Sequence, residues 1–156
     1  MDLTYDCSFK YFLKSKKTRY VLESIISLIL DEPLEEVKKD LIIEDSELVD
    51  NFFKNEKGKI TDILVTYKNT KINIELNRKY YKNIFENKLR YINNLYNASY
   101  IRGKDDTKEM FIQLNINDFD RDSQDRVEEY CYMYQENILT KKIRVINISL
   151  VKLKKA

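Results

Sequence analysis

The amino-acid sequence predicts an α/β sandwich in which helices cover a central mixed β-sheet. Three patterns support this class. Apolar residues recur at helical spacing before Asp31 and Pro33, two short alternating segments meet at Lys68 and Asn69, and residues 80–102 carry apolar residues at steps of three and four. Further alternating segments follow, so the expected order is a helix, a hairpin, a long helix and more strands.

The N-terminal third is expected to be mainly helical. Residues 6–13 have helical spacing, and a second helix after Thr18, the expected N-cap, would bury an apolar stripe that ends before Asp31. The stripe consists of Val21, Leu22, Ile25, Ile26, Leu28 and Ile29. Glu23 lies beside it and is interpreted as a solvated flank. Three further segments follow: a short helix at residues 34–39, a short buried strand at 41–43 and another strand at 47–53.

The second strand of the hairpin has the clearest pattern in the chain. Residues 71–77 alternate polar and apolar side chains without a break, which is the period-two pattern of a half-buried strand. Its polar face consists of Lys71, Asn73, Glu75 and Asn77. The first strand, residues 60–67, is rich in β-branched and aromatic residues.

The hairpin loop decides which side chains face each other. With a two-residue loop, Tyr67 pairs with Thr70. Asp62 then lies directly opposite Glu75, with Cβ atoms about 5 Å apart. A four-residue loop places Asp62 opposite Asn77 instead, and a three-residue loop sends the two carboxylates to opposite faces.

Two carboxylates on one face of a hairpin repel each other. Asp62 and Glu75 are therefore expected to hold a divalent cation, share a proton or have positive charge nearby. The alternative is the ordinary polar face of an exposed hairpin, in which both acids pair with Lys59 and Lys71.

The C-terminal half continues with a long helix and three strands. The helix spans residues 80–102, with Gly103 as its expected C′ residue. Lys88, Arg90 and Arg102 lie along it, either as a solvated face or as a source of positive charge. The expected strands are residues 110–116, 130–134 and 142–150, and residues 118–125 are expected to form an acidic surface loop.

Composition limits the chemistry. The 156 residues suit one domain, and a formal net charge of +2 requires any basic surface to arise from charge segregation. Without histidine, His-based metal sites and Ser-His-Asp triads are excluded. Cys7 and Cys131 lack metal-site spacing, which predicts reduced thiols and a cytoplasmic location, and no segment is apolar enough to span a bilayer.

Several motifs resemble one branch of the PD-(D/E)XK nucleases, the recombination-promoting nuclease/transposase family. Asp62, twelve intervening residues and then Glu75-Leu76-Asn77 resemble the superfamily's acidic core motif. Further similarity extends over residues 6–10, 22–30, 58–63, 72–77 and 111–119, and over Tyr91, Leu95, Tyr96 and Gly103. The third catalytic position, lysine in the superfamily and usually glutamine in this branch, is Asn77 here.

The resemblance implies a restriction-endonuclease-like core, a central mixed sheet flanked by helices in the order αβββαβ. Family members normally continue beyond the strand that corresponds to residues 145–150, so residues 1–156 are expected to be a single nuclease-like domain without that extension.

The resemblance also implies the site residues. Asp62, Glu75 and Asn77 would be catalytic, and Mg²⁺, with Mn²⁺ as a substitute, would be held by Asp62, Glu75 and the backbone carbonyl of Leu76. The missing cation and the phosphate contacts would come from Lys59, Lys88 or Arg90. A further acidic ligand would come from Glu47, Asp50 or Glu23.

The implied function is Mg²⁺-dependent DNA endonuclease activity linked to recombination or mobile elements, with DNA as partner and a homodimer as a compatible assembly. Two alternatives stay open. One is a catalytically inactive nuclease-like module that binds DNA or protein, and the other is an interaction domain without a nucleic-acid role.

Overall fold

A computed structural model of the chain describes residues 6–44, 63–98, 109–119, 125–134 and 136–155. Its helices are α1 (Asp6–Lys14), α2 (Arg19–Leu30), α3 (Leu34–Asp40), α4 (Ile84–Ala98) and α5 (Leu150–Lys154). Its strands are β1 (Leu41–Ile43), β2 (Ile63–Tyr67), β3 (Thr70–Asn77), β4 (Met110–Asn117), β5 (Val127–Tyr134) and β6 (Asn137–Ser149).

The strands form one mixed sheet in the order β1-β2-β3-β4-β6-β5. β3, β4 and β6 run parallel to one another, whereas β1, β2 and β5 pair antiparallel with their neighbours. Parallel neighbours need a crossover connection, and α4 lies in the one between β3 and β4. The expected mixed sheet flanked by helices is therefore confirmed.

Side-chain alternation gives the sheet two different faces. Ile72, Ile74 and Leu76 of β3 belong to the core that also contains residues of α1, α2 and α3, and we call this side the α2 face. The opposite side, the α4 face, packs Phe111 against Ile92 and other apolar residues of α4. Each helix layer thus buries one set of alternating strand residues.

The hairpin has the two-residue loop that the sequence allowed. Tyr67 pairs with Thr70, and the register continues to the pair of Ile63 with Ile74. Lys68 occupies the left-handed region at φ 51°. It lies over the ring of Tyr67, and the hydrogen bond with Tyr67, followed by the one with Glu36, raises the pKa of Lys68.

The predicted N-terminal helices are confirmed, but two side chains of α2 differ from expectation. Glu23 is 7% exposed and not a solvated flank, because Arg19 holds its carboxylate at 2.9 Å. Arg19 also donates 2.6 Å to the backbone oxygen of Leu41, which ties α2 to β1. Leu28 is 81% exposed and does not widen the buried stripe, because the core of the α2 face centres on Leu22 and Ile26.

The boundaries of other elements also differ. β1 is only partly buried, because it is an edge strand and its central Ile42 is 58% exposed. The long helix begins at Ile84 rather than at residue 80, after a turn in which the Ile84 amide donates to Tyr81. The predicted strand at residues 47–53, Gly103 and most of the predicted acidic loop lie outside the described residues.

The end of α2 offers a local test of stability. Asp31 caps this helix in the left-handed conformation, at φ 54° and ψ 42°, where glycine carries no steric penalty. We expect Asp31→Gly to raise the free energy of unfolding by about 0.5–1 kcal/mol. Lys39→Gly, at an exposed helical residue inside the last turn of α3, should lower it by a similar amount. Urea denaturation measures both, and a loss of stability in Asp31→Gly would contradict this account.

Within the described part of the chain, no helix is both long and apolar enough to cross a membrane.

Candidate functional site

Three polar side chains of β3, those of Asn73, Glu75 and Asn77, lie on the α4 face and are buried there. Asn73 is fully buried, and Glu75 and Asn77 are 7% and 8% exposed. The prediction of a half-buried strand is therefore wrong, because β3 lies between β2 and β4 with both of its faces covered. The alternation itself is as predicted.

The parallel register places polar residues of three strands side by side on this face. Asn73 pairs with Gln113, Glu75 with Asn115 and Asn77 with Asn117. On the far side of β4, Asn115 pairs with Asn147 and Asn117 with Ser149. We call this set the polar patch; its members are Asn73, Glu75, Asn77, Gln113, Asn115, Asn117, Asn147 and Ser149, all buried.

Hydrogen bonds run through the polar patch in one direction. Asn73 Nδ2 donates to Gln113 Oε1 at 2.8 Å, and Gln113 Nε2 donates to Asn115 Oδ1 at 2.9 Å. Asn115 Nδ2 then donates to Asn147 Oδ1 at 2.8 Å. The four side-chain amides are oriented alike, so each bond polarises the next in the low-dielectric interior.

The amide chain ends beside Glu75. Asn73 Nδ2 also approaches Glu75 Oε1, at 3.4 Å, while Asn73 Oδ1 is buried without a hydrogen-bond partner. At the other end, Asn147 Nδ2 is likewise unpartnered. An unpaired buried acceptor costs about 1–3 kcal/mol. Asn73 Oδ1 is thus a buried oxygen acceptor without a partner, on the same amide whose Nδ2 approaches Glu75. Oxygen atoms are the ligands that Mg²⁺ prefers.

Lys88 of α4 neutralises Glu75. Its ammonium contacts Glu75 Oε2, and the two residues are each 7% exposed. Ile84, Lys88 and Ile92 are spaced by four residues, so they share one side of α4, and all three are buried. Lys88 therefore reaches the sheet from within an apolar stripe.

A second polar contact lies at the end of β3. Asn77 Nδ2 donates 2.9 Å to Asn117 Oδ1 of the neighbouring strand. The Asp118 amide donates 2.8 Å to the Asn77 carbonyl, which locks the ends of β3 and β4 together. Asn77 thus lies on the same face as Glu75 with a fixed side chain.

The structure brings some of the predicted site residues together. Glu75, Asn77 and Lys88 share the α4 face. Arg90 is exposed, because residues two apart on a helix do not face the same side. The Leu76 side chain lies in the core of the α2 face.

Most of the other predicted residues are ones whose position the structure does not describe. Asp62, Lys59, Glu47 and Asp50 lie outside the described residues, as does the predicted pairing of Asp62 with Lys71 or Glu75. Glu23 belongs to α2 and is held by Arg19.

Sequence reasoning missed the polar patch beyond β3. Gln113 and Asn115 fall in the predicted strand at residues 110–116 and Asn147 in the one at 142–150, but the strand patterns assign them no role. The one signal in the sequence is that Asn and Gln repeat at alternate positions of these strands. Because both residue types are mostly exposed in proteins, the repetition does not by itself indicate burial, and only the central position of the strands in the sheet reveals it.

The metal-binding capacity of the described residues is limited. They contain no group of three or more His, Cys, Asp or Glu side chains placed to hold an ion. Glu75 and Asn73 Oδ1 nevertheless fit a hard cation, since both present oxygen on one face. Asp62 directly precedes Ile63, which pairs with the residue before Glu75.

Comparison with protein-family models, with curated proteins and with solved structures found no match to this chain.

Proposed function

We propose that this chain is a Mg²⁺-dependent DNA endonuclease of the PD-(D/E)XK type, with its active site at Glu75. One observation carries the proposal: a buried carboxylate on the α4 face is held by a buried lysine from α4. Burying both charges costs several kcal/mol, and hydrophobic residues would often be as stable at such positions. A buried ion pair whose burial costs the fold stability in this way is a candidate for a catalytic role.

Lys88 would replace the lysine that the strand motif lacks. Asn77 has no positive charge and cannot act as a base. Lys88 places an ammonium beside Glu75 from a different element, so the cation required near a scissile phosphate is supplied by the helix.

The order of the elements supports a restriction-endonuclease-like core. When α1 and α3 are left aside, the described elements α2, β1, β2, β3, α4 and β4 are compatible with the αβββαβ order, although residues 45–62 between β1 and β2 lie outside the described residues. β4 runs parallel to β3 after the α4 crossover.

Each residue has a specific role in this proposal. Asp62, Glu75 and the Leu76 carbonyl would hold Mg²⁺, with Asn73 Oδ1 as a further oxygen. When bound, Mg²⁺ lowers the pKa of a coordinated water and offsets charge on the phosphate. Lys88 orients Glu75, and Asn77, whose Nδ2 is engaged by Asn117, can accept a hydrogen bond from water through Oδ1.

Plasmid nicking in Mg²⁺ or Mn²⁺ tests the proposal. We expect Asp62→Asn and Glu75→Gln each to reduce the rate by at least about 100-fold, as removal of an electrostatic catalytic group does. Glu86→Gln, an exposed carboxylate in the first turn of α4, should nick at the wild-type rate. Nicking by both site variants at the wild-type rate, with folding verified by circular dichroism, would exclude Glu75 as the centre.

A catalytically inactive DNA-binding module is the second candidate. It is favoured by the direct contact of Lys88 with Glu75 Oε2, because an ammonium there competes with a metal ion for the same oxygen. This candidate predicts salt-dependent DNA binding by the wild-type protein, no cleavage in Mg²⁺ or Mn²⁺, and unchanged binding in Glu75→Gln.

A further inference from the structure

Three parallel strands end at one edge of the sheet. Asn77 of β3 pairs with Asn117 of β4, and Asn117 pairs with Ser149 of β6, so the carboxyl ends of these strands are in line. The segment before β5 reaches the same place, since the Ser149 amide donates 2.9 Å to the Arg126 carbonyl. We call this the carboxyl edge; its described residues are 78–83, 118–119, 125–126 and 150–155.

The carboxyl edge is strongly basic. Its described residues include seven basic side chains and only two acidic ones. The basic residues are Arg78, Lys79, Lys82, Arg126, Lys152, Lys154 and Lys155, and the acidic residues are Asp118 and Asp125. A chain with a net charge of only +2 has therefore concentrated positive charge at one end of its sheet.

The opposite end of the sheet carries acidic groups. There the hairpin residue Lys68 lies between the carboxylates of Glu32 and Glu36, at 3.5 and 3.2 Å. Residues 31–40, which lie at this end, carry five acidic and two basic side chains. The described residues at the two ends of the sheet therefore differ in the sign of their net charge, which favours the approach of a polyanion to the carboxyl edge.

Two exposed tyrosines interrupt the basic residues after β3. Tyr80 and Tyr81 are 50% and 46% exposed, and they stand between Lys79 and Lys82, which are also exposed. The ring of Tyr80 packs edge to face on Phe119 at 5.7 Å, which fixes the segment against the end of β4. Tyr81 is the adjacent aromatic ring on this basic surface.

We propose that the carboxyl edge binds an unpaired stretch of DNA, in which Tyr81 stacks on a base and Lys79 and Lys82 contact the flanking phosphates. Alternating cations and aromatic rings match the alternation of phosphates and bases along a single strand, whereas the bases of a duplex are stacked on each other and unavailable to Tyr81. The choice of DNA rests on the proposed function.

The position of the segment connects it to Glu75. Tyr81 lies six positions after Glu75, so their Cα atoms are at most about 22 Å apart. An unpaired strand held by Tyr81 therefore passes within a few nucleotides of the polar patch. The expected substrate is DNA with single-stranded character, such as a frayed end, a flap or a bubble.

Binding without cleavage tests this proposal. Fluorescence anisotropy in EDTA compares a labelled oligo-dT of about 16 nucleotides with a duplex of equal length, between about 50 and 200 mM salt. We expect the single strand to bind more tightly, and Tyr81→Ala to weaken its binding by about tenfold. The Lys79→Gln/Lys82→Gln double variant should lower the slope of log affinity against log salt by about 1.4, since each phosphate contact on a single strand contributes about 0.7.

Matched variants at the opposite end of the sheet serve as controls. Tyr20→Ala removes an exposed tyrosine of α2, and Lys38→Gln/Lys39→Gln removes two exposed charges of α3. Both should leave oligo-dT binding within twofold of wild type. Equal or tighter binding of the duplex, or an equal loss of slope in the α3 variant, would overturn the proposal.

The oligo-dT binding experiment and the plasmid nicking experiment can fail independently of each other. If the protein binds oligo-dT through Tyr81 but nicks no DNA, the proposed binding by the carboxyl edge stands and the proposed nuclease activity is wrong. If the protein nicks plasmid DNA but does not bind oligo-dT, the proposed nuclease activity stands and the proposed single-strand binding is wrong.

Discussion

Lys88→Met is expected to lower the free energy of unfolding by about 3–5 kcal/mol. The reason is the buried contact between the Lys88 ammonium and Glu75 Oε2. Methionine fills much of the same volume, so the apolar packing beside Ile84 and Ile92 is largely kept. The loss therefore comes from Glu75, whose carboxylate stays buried without a counter-charge.

Urea denaturation of three variants separates charge from packing. Arg90→Met changes an exposed residue of the same helix and should alter stability by no more than about 0.5 kcal/mol. The double variant Glu75→Leu/Lys88→Met removes both charges and should recover most of the stability, because a buried ion pair and a hydrophobic pair of similar volume are often equally stable. If Lys88→Met is as stable as Arg90→Met, the two side chains do not form a buried pair.

Asn115→Ala is expected to cost about 3–5 kcal/mol. Asn115 is fully buried at the centre of the sheet and bonds both neighbours, accepting from Gln113 at 2.9 Å and donating to Asn147 at 2.8 Å. Alanine leaves the Gln113 donor and the Asn147 acceptor unpaired, at about 1–3 kcal/mol each, and adds a cavity.

The control for this prediction is Asn137→Ala, an exposed asparagine at the start of β6, which should change stability by less than about 0.5 kcal/mol. Thermal or urea unfolding measures both variants. A small effect in Asn115→Ala would mean that water enters the polar patch and replaces the missing amide.

Local patterns in the sequence predicted most elements correctly. The period-two alternation of β3 and β4 is confirmed, because strand alternation depends on neighbouring residues. Of the three loop lengths that the sequence left open, the structure has the two-residue loop at Lys68 and Asn69. The boundary errors, such as the start of α4 at Ile84, arise where a connection after a strand contains residues that also favour helices.

Burial was predicted less well than element type. Glu23 and three polar residues on one face of β3, Asn73, Glu75 and Asn77, are buried, although charged or polar residues beside an apolar stripe are usually solvated. Their partners come from outside the local pattern: Glu75 is paired by a residue 13 positions later and Asn73 by one 40 positions later. No periodicity within a single segment reports such contacts.

For the candidate site as well, the residues were named from the sequence, whereas their contacts were not. The resemblance to the PD-(D/E)XK nucleases implied Glu75 and Asn77 as catalytic residues, and it left Lys59, Lys88 and Arg90 as alternative sources of the missing positive charge. The structure places Glu75, Asn77 and Lys88 on the α4 face, with Lys88 in contact with Glu75. The catalytic roles of these residues, and that of Asp62, stay predictions.

The sequence by itself therefore determined the hairpin, the long helix after it and the face on which Glu75 lies, since each depends on spacing within a short segment. Only the tertiary structure decided that this face is a buried amide network, that Lys88 rather than Arg90 reaches Glu75, and that basic residues meet at the carboxyl edge. The physical reason is the parallel pairing of β3, β4 and β6, which aligns residues far apart in the chain and brings their polar groups out of water together.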